Sequence, residues 1–65
     1  MSKEAWKIIE ELEKQYAGDE DALEVIEGAK EDIRYIEKKV AAGGYTGQPA
    51  EGVALELKGH LEEWY

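Results

Sequence analysis

His60 is the single histidine of the chain, with Glu56 one helical turn before it and Glu63 one turn after. A histidine between two carboxylates could begin a metal site. Such a site needs three or four convergent ligands, usually with more than one His or Cys among them. The sequence has no Cys, so thiolate ligands and disulfides are both excluded. His60 is therefore expected to pack or cap at the border of a core face. The run "DEDALE" supplies Asp19 and Asp21, but it lacks the glycine at the sixth loop position and the closing bidentate Glu of a calcium loop. It reads as a capped, acidic helix start. "GGYTGQP" has glycines but no Gly-Lys-Ser/Thr and no preceding strand, so it is not a phosphate loop. Ser2 and Thr46 are the only aliphatic alcohols, and neither has a histidine near it in sequence. No catalytic residue, cofactor site or metal site is expected, and the chain does not read as an enzyme.

The elements that carry these residues follow from composition and period. Sixty-five residues are expected to make a single domain spanning 1–65, near the lower limit for a chain that folds without staples. Hydrophobic content of 43% beside charged content of 37% fits a folded helical domain rather than a disordered tail. The net charge of −8 argues against nucleic acid, whose phosphates need clustered Lys and Arg, and against anionic membrane surfaces. No apolar run is long enough to span a bilayer or to form a signal-peptide core. The sequence leaves localisation open, with a reducing cytoplasm as the default.

Helical periodicity runs through nearly the whole chain. Ala5, Ile8, Ile9, Leu12 and Tyr16 recur at steps of three and four and define one face of a first helix, with Ser2 as its N-cap. Gly18 is expected to close that helix in a left-handed conformation, and Asp19 to cap the next. Ala22, Ile26, Ala29, Ile33, Ile36 and Val40 form an unbroken heptad seam in the second helix. Its first turn is acidic and its last carries Lys38 and Lys39, as the helix dipole favours. Pro49 suits the first turn of a third helix, whose seam is Ala50, Ala54, Leu57, Leu61 and Trp64, with Val53 beside it. Trp6 falls off the first seam and is expected to cover the open end of the bundle. The pattern predicts an all-α fold, an antiparallel three-helix bundle with helices near 3–17, 19–42 and 49–64.

The third helix carries two glycines seven residues apart, Gly52 and Gly59. At about 100° per residue both turn away from the Ala54–Leu57–Leu61 seam, with Leu55 between them. The same rotation stacks Gly28, Asp32 and Tyr35 on the outer side of the second helix, with Val25 nearer the seam. A glycine inside an exposed helix costs about 1 kcal/mol relative to Ala. Three such glycines weaken a core expected to supply only about 3–5 kcal/mol. The sequence therefore points to a partner-binding face made of Val25, Gly28, Asp32, Tyr35, Gly52, Leu55 and Gly59, in which glycines let another surface come close and Leu55 and Tyr35 anchor it.

The sequence has no Phe, Cys or Asn, and one each of Arg, Ser and Thr; Glu, Lys, Ala, Ile and Leu fill most helix positions. With its unbroken second seam and minimal "GD" link, it resembles computationally designed helical mini-proteins. The resemblance is compositional and covers the whole chain. It implies a binder made for a chosen protein target, monomeric rather than a homodimer, and using no cofactor. The outward glycines, the glycine-rich loop and the exposed Tyr and Leu depart from an idealised scaffold in the way such a purpose would leave. The competing expectations are a fold-only scaffold, a bundle that self-associates through the Gly52–Leu55–Gly59 face, and an acidic inhibitor mimicking nucleic acid with residues 19–27, Glu62 and Glu63.

Overall fold

The computed structural model describes residues 2–64, the last of them as backbone only, and the seam position expected at Trp64 lies outside the described side chains. The chain forms three helices, α1 (Lys3–Gln15), α2 (Glu20–Ala42) and α3 (Ala50–Trp64), which pack against one another with no strand among the described residues. Asp19 caps α2 as expected: its Oδ1 accepts from the Ala22 N–H at 3.1 Å. Ser2 stands in the N-cap position of α1, and its carbonyl accepts from the Trp6 N–H, but its side chain makes no capping bond.

The first link differs from expectation. α1 ends at Gln15 rather than near residue 17, and Gly18 does not take up a left-handed conformation. A turn does the work instead. The Tyr16 N–H donates to the Leu12 carbonyl, and the Asp19 N–H donates back to the Tyr16 carbonyl, both at 2.9 Å. Those two bonds carry the chain out of the helix with no positive φ, so the freedom of Gly18 goes unused. Positive φ is confined among the described residues to Gly43 at 90° and Gly44 at 78°, at the end of α2. α3 begins one residue later than expected, with the Pro49 carbonyl accepting from the Gly52 and Val53 N–H groups.

Packing follows the seams. Ala5, Ile9 and Leu12 of α1 meet Ala22, Ile26, Ala29, Ile33 and Ile36 of α2 and Ala50, Ala54, Leu57 and Leu61 of α3 in one buried cluster. Tyr16, Ile8, Leu23 and Val53 pack half-buried around it. Each large aliphatic side chain taken fully from water contributes about 1.5–3 kcal/mol. Two side-chain links tie the flank of α2 to α1: Lys30 Nζ to Glu13 Oε2 at 2.9 Å, and Trp6 Nε1 donating to Glu37 Oε2 at 3.0 Å. Trp6 packs against the core cluster and reaches across to α2. It lies against α2, half-buried, with the Arg34 guanidinium 5.6 Å from its ring centre.

Val40 corrects the second seam. It holds the heptad position but is 43% exposed. It stands in the last turn of α2, where it shares a cavity with Ser2 and with Tyr45, Gly47 and Pro49 of the following loop instead of closing into the buried cluster. Beyond it, the Gly43–Pro49 segment organises itself around Tyr45. The Tyr45 hydroxyl donates to the Gln48 carbonyl at 2.7 Å, and the ring sits so close to Gly47 that a Cβ there would lie 2.5 Å from the hydroxyl oxygen. Gly47 is thus fixed by the close approach of a ring rather than by its dihedral angles.

The two ends of α2 predict opposite responses to one change. Gly43→Ala forces a side chain into a backbone region open essentially to glycine and should destabilise by about 1–3 kcal/mol. Gly18→Ala has open space and no positive φ, and should be neutral or stabilise by about 0.4–1 kcal/mol. Urea unfolding of the two variants measures both signs.

Candidate functional site

The residues singled out on α2 form one continuous exposed stripe. Val25, Gly28, Asp32 and Tyr35 step by three and four along the flank turned away from the Lys30 and Glu37 links to α1. Val25 is 37% and Tyr35 58% exposed, and a Cβ on Gly28 would meet nothing within 4 Å. The Tyr35 ring has the Lys39 ammonium 5.5 Å from its centre, so its face already carries a cation from its own helix.

The three positions on α3 are not alike. Leu55 is 57% exposed and the space around Gly59 is open. Gly52 is half-buried, because the Gln48 side chain folds over it: a Cβ there would lie 2.9 Å from Gln48 Nε2 and 3.0 Å from its Cγ. That amide nitrogen donates onward to Glu56 Oε2 at 3.3 Å. Gly52 also belongs to the first turn of α3, where its N–H bonds to Pro49. It therefore has a use inside the fold, and the helix-interior penalty applies to Gly28 and Gly59. Leu55 turns about 130° from the core direction of α3, to the flank opposite His60. It stands at the edge of the glycine stripe rather than between its members.

His60 is exposed rather than at the core border, and with Glu56, Gly59 and Glu63 it lines a shallow surface groove. Among the described residues no group of three or more His, Cys, Asp or Glu side chains is placed to hold a metal ion. No described helix is long and apolar enough to cross a membrane.

The periodicity gave no sign of a cavity of about 430 Å³ at one end of the bundle. It is bounded by Ser2, by Ile36, Glu37 and Val40 of α2, by Tyr45 and Gly47 of the loop, and by Pro49, Ala50 and Glu51. Its signal in the sequence is the glycine-rich loop with a single tyrosine following a seam valine. That combination leaves a ring and an aliphatic side chain without a third helix over them.

Lys30 is held above the usual lysine range by its hydrogen bonds to Glu13 and then Glu27, against a small opposing effect of burial. No family model, curated protein or solved structure matches the chain.

Two measurements follow from these placements. Gly28→Ala and Gly59→Ala should each raise stability by about 0.5–1 kcal/mol, since each restores helix propensity in open space. Gly52→Ala should gain less, because Gln48 must move and its bond to Glu56 weakens; thermal unfolding ranks the three. Lys30→Ala should lose about 0.2–1 kcal/mol near neutral pH. Because the folded pKa is raised, that stabilisation is fully present below the ordinary lysine value of 10.5 and disappears as pH climbs through the folded one. Urea unfolding of both proteins at pH 7 and well above pH 11 should show the difference closing.

Proposed function

We propose that this chain is a small protein-binding module, a designed mini-binder in origin, that engages a protein target through the outer face of α2 and α3. The observation that carries the proposal is the pairing of exposed apolar side chains with open glycines: Val25 and Tyr35 beside Gly28, and Leu55 beside Gly59. A helix spends about 1 kcal/mol of propensity on each such glycine, and neither Gly28 nor Gly59 returns it through internal packing. A partner surface that comes down onto the bare backbone would return it, with the apolar neighbours as anchors.

The helix order supports one contiguous face. We take consecutive helices to run antiparallel, consistent with Trp6 reaching Glu37 near the end of α2 and Glu13 reaching Lys30 further back. Ile36 and Ala50 border one cavity. Eight residues back along α2 lies Gly28, and nine forward along α3 lies Gly59, which brings the two glycines to about the same height. The same count brings Tyr35 level with Gly52. On this reading the two stripes belong to one face of a single domain over residues 1–65. With a net charge of −8, copies of the chain repel one another, which favours a monomer over a homodimer.

A photo-crosslinking residue introduced at position 35, 55 or 11 tests the face against a proteome extract. Glu11 is exposed on α1 and serves as the control. One partner captured from positions 35 and 55, absent from position 11 and competed by unmodified protein, is the expected result. Equal capture from all three, or capture from position 11 alone, contradicts the proposal. With that partner in hand, Gly28→Ala combined with Gly59→Ala should weaken binding while the fold gains stability, and Leu55→Glu should weaken it further. Binding should fall only modestly between low and moderate salt. A steep fall would favour the acidic nucleic-acid mimic instead.

A further inference from the structure

The end cavity lies outside the face just proposed, and its chemistry is one-sided. Ile36, Val40, Tyr45 and Pro49 give it an apolar wall, and among the described residues the charged ones that border it are Glu37 and Glu51. Among the described residues no Lys, Arg or His lines it. Its volume of about 430 Å³ falls in the range of small-molecule sites, roughly 300–1,000 Å³. Two of its walls are held in place by bonds of their own. Glu37 accepts the Trp6 indole N–H at 3.0 Å, and the Tyr45 ring is pinned by its hydroxyl bond to the Gln48 carbonyl and by its seat against Gly47. A wall fixed before the ligand arrives loses little freedom on binding.

We propose that this cavity binds a small hydrophobic amine, its apolar body against Ile36, Val40, Tyr45 and Pro49 and its ammonium at the Glu37 and Glu51 carboxylates. An anion of the same shape meets two acidic residues with no cation among the described lining residues to offset them, in a chain of net charge −8. A neutral molecule gains from the apolar wall alone. An ammonium adds hydrogen bonds to charged acceptors, which are roughly twice as strong as neutral ones. Charge complementarity, and not the apolar surface, sets the choice of ligand.

The test compares 2-phenylethylamine with 2-phenylethanol and 3-phenylpropionate, three probes with the same ring and chain and different charge. Binding is read from the Val40 methyl and Tyr45 ring resonances by NMR. Saturable shifts at those groups, with the amine about five- to tenfold tighter than the alcohol and the carboxylate weaker than both, are expected. Glu51→Gln should weaken the amine about threefold or more and leave the alcohol unchanged. Val40→Lys places a cation and a longer side chain in the cavity at an already exposed position, and should abolish amine binding while circular dichroism stays that of the unchanged protein. Four results would overturn the proposal: no saturable shift, an amine no tighter than the alcohol, shifts spread over the acidic helix faces instead of Val40 and Tyr45, or undiminished binding to the folded Val40→Lys variant.

Discussion

Ile9, Ile26, Ile33 and Leu61 are all but withdrawn from solvent, and between them sit Ala5, Ala22, Ala29, Ala50 and Ala54. That alternation of large and small side chains governs the rest of the molecule. Three short helices can share only one narrow core, and each bulky side chain must fit over a small one opposite for the backbones to come close enough to exclude water. Isolated helices of 13 and 15 residues are marginal in water, so α1 and α3 hold their shape chiefly because this core is formed. Polar links such as Trp6 to Glu37 and Lys30 to Glu13 fix how α1 sits on α2, but they lie at the margin of the core and add little to it.

A core so narrow leaves most of each helix surface unused by the fold. On α2 the flank toward α1 is occupied by Lys30 and Glu37, while the flank with Val25, Gly28, Asp32 and Tyr35 carries nothing the fold requires. The last turn of α2 is in the same position, and there the chain folds its own loop back so that Tyr45 walls a cavity with Val40. The two candidate surfaces therefore have one origin: helices of unequal length wrapped around a core too thin to use all their faces. They differ in chemistry. One is an apolar stripe smoothed by glycine, the other an apolar recess edged by carboxylates.

The parts legible in the sequence are those that depend on one helix at a time. Steps of three and four placed all twelve of the buried apolar residues in the seam of the right helix, although the same steps also put the exposed Val40 there. The Asp19 cap was legible because its acceptor and donor are three residues apart. What the sequence did not disclose depends on where helices stop relative to one another, or on side chains folding back. Val40 satisfies its heptad and is exposed because it borders the end cavity instead of the closed cluster. Gly18 looked like a left-handed cap, but a turn without positive φ closed the link. Gly52 belonged to the outward stripe by rotation, yet Gln48, four residues away across the helix start, covers it. Leu55 shares that stripe by spacing and departs from it by angle.

The central claim is that the outer faces of α2 and α3 are spare to the fold, and this is open to a direct measurement. Val25, Tyr35 and Leu55 are replaced together by Ala, and the free energy of unfolding is measured in urea. If the narrow core alone sustains the structure, the triple variant keeps its stability to within about 1 kcal/mol, the small loss reflecting the Lys39 contact on Tyr35. A loss of about 3 kcal/mol or more, the scale of emptying a buried site, would mean that these side chains belong to the core and that no free face exists.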